Sequence, residues 1–258
     1  MDFPLIYCNG DSYSDEKYHP SLRRNTYANE VGCKLNGYVL NKSISGSCNR
    51  RIIRSTVHDI IHQRELNKDQ PIIALIGLTF ELRNEYWIDE LTPALSEESN
   101  FLTHTFSSQL DWKSRLLQRK QFDNTIRNEN VNKDFHDLYS KGRAFFYSPY
   151  AERINLICDL LLLKHLFDSL DIKFLIFQSP KAERLENEYL LDFFQTRLYE
   201  DARFINLESF GFVDWCYENH FIPLDYLDRP QIGHYGPDAH VAFATQWILP
   251  KLKELNQI

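Results

Sequence analysis

Five short apolar runs with β-branched or aromatic character punctuate the chain, at Phe3 to Cys8, Tyr38 to Leu40, Ile72 to Ile76, Phe174 to Phe177 and Phe204 to Leu207. Their length and bounding turn residues predict strands. Between them, helical periodicity runs over Asn25 to Leu35, Asn49 to Arg64, a long polar region at Ser107 to Lys141, Glu152 to Leu170 and Glu183 to Tyr199. A last helix is predicted from Pro237 to Leu255, with Pro237 in the first turn, where a missing N–H leaves no bond unmade. Strand and helix alternate, which predicts an α/β fold: a parallel sheet of five strands with helices on both faces.

About a hundred residues separate the strands near Ile76 and Phe174, far more than a crossover needs. The interval is rich in charge and in aromatics such as Trp87, Phe101, Trp112 and Phe135. It reads as an ordered helical cap inserted at about 84–150 in a single domain spanning 1–258. A chain of 258 residues can bury the core such a domain requires.

Charge and cysteine content narrow the partners. With 29 Lys plus Arg against 36 Asp plus Glu, the net charge of -7 disfavours phosphate backbones, so nucleic acid is not an expected partner. The five cysteines, Cys8, Cys33, Cys48, Cys158 and Cys216, are odd in number and never form a C-x-x-C pair, which argues against a disulfide framework or a zinc knuckle and for a reducing compartment. No basic segment followed by a long apolar one opens the chain, and the most apolar stretch, Leu156 to Phe167, is broken by Asp159, Lys164 and His165. A soluble, cytoplasmic protein with no membrane partner is expected. Oligomeric state is open.

In a parallel α/β sheet, ligands bind outside the carboxyl ends of the strands. That rule selects Gly10-Asp11-Ser12 after the first strand, Ser43 to Arg50 after the second, Gly77-Leu78-Thr79 after the third, and His234-Tyr235-Gly236-Pro237-Asp238-Ala239-His240 before the last helix. Ser12 becomes the candidate nucleophile, since an Asn-Gly-Asp-Ser turn lifts its hydroxyl onto the rim of the sheet. His234 is the candidate base.

These four segments resemble, in order, the four blocks of the SGNH hydrolases, the GDSL esterase/lipase family. Gly10-Asp11-Ser12-Tyr13-Ser14 looks like the first block, Gly46 within Ser45-Gly46-Ser47-Cys48-Asn49 like the second, Gly77-Leu78-Thr79 like the third, and H-Y-G-P-D-A-H like the fourth. The resemblance implies a three-layer, flavodoxin-like α/β/α sandwich and a serine esterase acting without metal or cofactor. It implies Ser12 as nucleophile, His234 as base, His240 as structural, and an oxyanion hole from the N–H groups of Ser12 and Gly46 with a third donor at position 79. The substrate expected is a small ester, an O-acetyl group on a carbohydrate being the leading candidate.

Two positions depart from the family pattern. Thr79 stands where the family has an asparagine, and a lost oxyanion donor typically costs about 3 to 4 kcal/mol of transition-state stabilisation. Gln231 stands where an aspartate three residues before the histidine is usual. Asp228 and Asp225 lie upstream as substitutes, Asp228 the nearer and the expected orienting carboxylate; a Ser-His dyad is the other possibility. G-x-T followed by R-x-E at Gly77 to Glu85 is similar to a branch of SGNH-like proteins found in phages and marine bacteria, which raises a virion-associated setting. Asn49, Arg50 and Arg83 then face substrate or support the residues that do, the alternative being that Arg50 and Arg83 pair with Glu81 or Glu85 on solvated helix faces. The competing reading is a glycan-binding or structural protein that keeps the fold after catalysis has decayed.

Other motifs carry the blander reading. His58 and His62 sit at i and i+4 like a helical zinc pair, but no third ligand stands out. Lys113 to Lys120 reads as a solvated helix face in an acidic protein. Phe145, Phe146 and Tyr147 read as packing.

Overall fold

The computed structural model describes residues 3–79, 83–87, 101–105, 149–180, 182, 189–205, 209–228, 230 and 233–258. Its strands are β1 (Leu5–Asn9), β2 (Tyr38–Asn41), β3 (Ile72–Leu78), β4 (Arg83–Trp87), β5 (Phe101–Thr105) and β6 (Lys173–Gln178). The helices are α1 (Tyr27–Leu35), α2 (Asn49–Leu66), α3 (Pro149–Ser169), α4 (Tyr189–Tyr199), α5 (Phe212–Glu218), α6 (Pro237–Phe243) and α7 (Leu249–Glu254).

Four strands form one parallel sheet in the order β2-β1-β3-β6. Every residue of β1 and β3 is buried, as expected for central strands covered on both faces, whereas β2 at the edge is half exposed. Alternate side chains divide the core. Leu5, Tyr7, Ile72, Ala74, Ile76, Phe174 and Ile176 pack under α2, α3 and α4. Ile6, Cys8, Ile73, Leu75, Leu175 and Phe177 pack on the other face with α1, α5 and α6. The result is an α/β/α sandwich.

The expected fifth strand is reduced to two isolated bridges. Phe204 pairs with Ile176 and Gly211 with Gln178, so the chain advances seven residues while β6 advances two, and no continuous ladder can form between them. The helix α5 was not foreseen, although Phe212, Val213 and Cys216 recur at i, i+1 and i+4, and all three are buried. Of the helical insertion expected over 84–150, the described part outside α3 is an antiparallel strand pair, β4 with β5, rather than helix. The remainder, including the helix expected over Ser107 to Lys141, lies outside the described residues. Toward the C-terminus the last helix widens into a π turn at Ala244–Ile248 before Pro250, whose ring would clash with a carbonyl of the preceding turn in an unbroken α-helix. Among the described residues no helix is long and apolar enough to cross a membrane.

The connection β1-α1-β2 runs toward one edge of the sheet, and β2-α2-β3 returns across β1. This reversal makes the carboxyl ends of β1 and β3 the topological switch point, where a crevice opens.

Candidate active site

The turn after β1 is built by its own side chains. Gly10 N–H donates to Asn9 Oδ1 at 2.9 Å, Tyr13 N–H to Asp11 Oδ1 at 3.2 Å, and Ser14 N–H to the Asp11 carbonyl at 3.0 Å. Asx-type bonds of this kind fix a tight reversal without help from a neighbouring strand. Asn9 Nδ2 reaches the Ile52 carbonyl and Ser55 Oγ of α2 at 3.1 and 2.9 Å, which ties the helix to the end of β1. A Cβ on Gly10 would lie 2.6 Å from Ser14 Oγ and 3.0 Å from the Gly77 carbonyl, so glycine is what lets the turn press against β3.

Ser12, only 6% exposed, projects from this turn toward His234. Its Oγ lies 2.8 Å from His234 Nε2. The histidine is placed by an antiparallel bridge between Pro223 and Tyr235, with Leu224 N–H donating to the His234 carbonyl at 2.6 Å. The bridge sets Asp225 beside the histidine: Oδ1 accepts the His234 N–H at 2.7 Å and Oδ2 lies 2.8 Å from Nδ1. Asp225, not Asp228, therefore holds the imidazole. Asp228 sits farther along in an exposed turn, beyond the paired stretch. Gln231 lies outside the described residues. With the Nδ1 proton donated to Asp225, Nε2 presents its lone pair to the Ser12 hydroxyl.

Two tyrosines enclose the imidazole. Tyr18 stacks on it with centroids 3.8 Å apart and Tyr13 at 4.7 Å, and the Tyr18 hydroxyl donates to Asp225 Oδ2 at 2.6 Å. Burial pushes the Asp225 carboxyl up, but the His234 N–H, the Tyr18 hydroxyl and the imidazole together pull it below the usual carboxylate range. Burial and the adjacent carboxylate push the Tyr18 phenol well up, so it remains a proton donor.

The turn 44–47 packs against the segment that carries Ser12. Ser45 donates its N–H and hydroxyl to Asp15 Oδ2 at 2.9 and 2.8 Å, and Ile44 N–H donates to the Gly10 carbonyl at 3.2 Å. Gly46 adopts φ +83°, a left-handed conformation that favours glycine, and a Cβ there would meet nothing within 4 Å. Among the described residues, the N–H groups of Ser12 and Gly46 have no acceptor.

Thr79 departs from its expected role. Its hydroxyl donates to Asp11 Oδ2 at 2.5 Å and is fully buried, so its single proton is committed there and not to an oxyanion. Its main chain is clasped by Asn49: Thr79 N–H donates to Asn49 Oδ1 at 2.7 Å, and Asn49 Nδ2 donates to the Thr79 carbonyl at 3.1 Å. Arg83 opens β4, and its side chain lies outside the described residues. His240 is wholly buried between Tyr27 and Phe212, with Nδ1 accepting the Tyr27 N–H at 3.3 Å; burial holds its pKa down at about 3, which keeps it neutral. His58 and His62 are exposed on α2, and among the described residues no group of three potential metal ligands assembles. Sequence spacing did not point to Tyr18. The run of Tyr13, Asp15 and Tyr18 after a candidate nucleophile was the available signal.

No family model matches the chain, and no curated protein matches it. Solved structures similar to this chain include esterases and lipase-like proteins. The psychrotrophic esterase EstA from Pseudoalteromonas sp. is 11% identical over 98% of this chain and 99% of its own, with a TM-score of 0.47. A putative GDSL-like lipase from Parabacteroides merdae is 14% identical over 100% and 98%, TM-score 0.39. The acetyl xylan esterase Est2A from Butyrivibrio proteoclasticus is 11% identical over 99% of this chain and 65% of its own, TM-score 0.42.

Proposed function

We propose that this protein is a serine esterase that cleaves a small ester, with an O-acetyl group on a carbohydrate as the first substrate class to test. The observation that carries the reading is the continuous chain from Ser12 Oγ to His234 Nε2 and from His234 Nδ1 to Asp225 Oδ2, each step 2.8 Å. Such a chain lets His234 take the serine proton as Oγ adds to the ester carbonyl, while Asp225 stabilises the imidazolium that forms. His234 then protonates the departing alcohol as the tetrahedral adduct collapses to an acyl-serine. Water, deprotonated by the same histidine, adds to that acyl group and releases the acid. The N–H groups of Ser12 and Gly46, which have no acceptor among the described residues, are the donors for the oxyanion. Tyr226, exposed beside Asp225, offers the kind of flat ring on which a sugar packs.

The rival reading, a glycan-binding protein whose catalysis has decayed, drew on Gln231 and Thr79. A carboxylate on His234 Nδ1 removes the first of these motives.

The test uses p-nitrophenyl acetate and acetylated xylan or chitooligosaccharides as substrates and a fluorophosphonate as covalent probe, with Ser12→Ala and His234→Ala alongside. Turnover and labelling that vanish in both variants are expected. Undiminished turnover in either, or a wild-type protein inert to ester and probe alike, would reject the esterase reading.

A further inference from the structure

The carbonyl oxygen that becomes an oxyanion can accept three hydrogen bonds, and the two main-chain N–H groups named above supply two. The hydroxyl of Thr79 is committed to Asp11. A side-chain donor is nonetheless at hand. Asn49 opens α2, after the connection from β2, yet its carboxamide is bonded to Thr79 at the end of β3. Because β1 lies between β2 and β3, reaching Thr79 from the β2 side means crossing the carboxyl end of β1, where the turn bearing Ser12 sits. The bond between Thr79 Oγ1 and Asp11 Oδ2 puts Thr79 against the residue that precedes the nucleophile.

A carboxamide carries two N–H bonds on Nδ2. One of Asn49's is given to the Thr79 carbonyl, and the other has no acceptor among the described residues. Asn49 is only 6% exposed, so that second proton has little water to turn to. The amide plane is fixed by the two-point clasp on Thr79, so the unused N–H is held in a constant direction. It also stands at the first turn of an 18-residue helix, where the dipole favours negative charge.

We propose that Asn49 Nδ2 donates the third hydrogen bond to the oxyanion, which makes Asn49 a catalytic residue. The proposal rests on the serine esterase reading. The threonine at position 79 is then no defect, because its main chain is the bracket that holds the amide donor.

The test compares wild type, Ser12→Ala, Asn49→Ala and Asn49→Asp in steady-state hydrolysis of p-nitrophenyl acetate, with thermal melts of each and the affinity of each for phenylboronic acid, a mimic of the tetrahedral adduct. Aspartate keeps the acceptor for the Thr79 N–H and suits a helix N-terminus, while giving up the bond to the Thr79 carbonyl, so the melts show which variants keep the fold and only those are read kinetically. Both Asn49 variants are expected to lose kcat by about 10²- to 10³-fold with KM within a few-fold of wild type, and boronate affinity is expected to fall in step. An Asn49→Asp protein that melts like wild type and keeps kcat within about 3-fold, while Ser12→Ala is inactive, overturns the assignment and leaves the esterase reading standing. A rise in KM with kcat unchanged overturns it too, making Asn49 a ground-state substrate contact. Activity that survives in Ser12→Ala overturns the esterase reading and this proposal together.

Discussion

Replacing Tyr18 by Phe should move the acid limb of the pH–rate profile upward. The Tyr18 hydroxyl is 2.6 Å from Asp225 Oδ2, the same oxygen that faces His234 Nδ1 at 2.8 Å. At that separation, an imidazolium and a full charge on Oδ2 interact by about 6 kcal/mol at an effective dielectric of ~20. A hydroxyl donated to Oδ2 withdraws part of that charge. If the phenol offsets roughly a sixth, it weakens the pull on the imidazolium by about 1 kcal/mol, or ~0.7 of a pKa unit. Phenylalanine keeps the ring stacked on the imidazole and removes only that donor. The imidazolium is then favoured more, the neutral base is reached at higher pH, and the rising limb of kcat/KM shifts up by ~0.5 to 1 unit, with ~3- to 10-fold lower activity below the limb.

Among the described residues, Tyr13, Ser12 and Asp225 also face the imidazole, His240 feels its charge and Tyr226 that of the phenol. None is altered by the change. A second variant, Tyr18→Leu, also removes the ring, whose face favours a cation, so its limb should lie below that of Tyr18→Phe. The assay is kcat/KM for 4-methylumbelliferyl acetate from pH 5 to 9 at constant ionic strength. A limb that stays put or moves down in Tyr18→Phe would refute the charge-sharing argument and leave Tyr18 as packing only.

Three further outcomes follow from the same geometry. Asp225→Asn should lower kcat by ~10³- to 10⁴-fold while Asp228→Asn leaves it within about 2-fold, read by steady-state kinetics, because among the described residues Asp225 is the carboxylate at His234 Nδ1. His240, lowered from 6.5 to about 3 in its buried site, binds its proton more readily in the unfolded chain; its contribution is complete above pH 6.5 and falls as the pH drops toward 3. Urea melts should therefore show about 1.4 kcal/mol less stability at pH 5.5 than at 7.5, and His240→Asn should flatten that slope. Carboxylates held low, such as Asp225, Asp168 and Asp201, lose their contribution only below about pH 4 and leave this window clear. Gly10→Ala should destabilise by about 1 to 3 kcal/mol in thermal or urea unfolding, since its Cβ would sit 2.6 Å from Ser14 Oγ and 3.0 Å from the Gly77 carbonyl.

Much of the scaffold was legible because burial on both faces leaves a plain signature. β1, β3 and β6 are largely apolar runs, and the ends of β1, β2 and β3 delivered Ser12, Gly46 and Thr79 to the same rim. The segment after Asp201 misled because apolar residues can line a core without laddering. Phe204 packs against Phe174 in edge-to-face contact while its main chain makes a single bridge. Thr79 was misassigned for a related reason: residue type shows what a hydroxyl can donate, and only the fold shows that Asp11 takes it.

The orienting acid shows where linear spacing loses its meaning. Within a single turn, sequence distance predicts which carboxylate meets a histidine, and Asp228 is nearer to His234 than Asp225 is. The antiparallel bridge of Pro223 with Tyr235 changes that relation, because paired stretches bring together residues whose sequence separation is set by the loop between them. Asp225 meets His234 from nine residues away with both oxygens engaged, one by the main-chain N–H and one by the ring. The segment carrying Ser12 then secures this loop from the opposite side. Tyr13 and Tyr18 stack on the imidazole, and Tyr18 bonds the acid 207 residues away. Ser12, His234 and Asp225 are thus held by two segments from opposite ends of the chain, each of which completes the other's hydrogen bonds. A change that loosens the 223–235 pairing should therefore disturb Ser12 as well as His234, and fluorophosphonate labelling should decline before the sheet core begins to unfold.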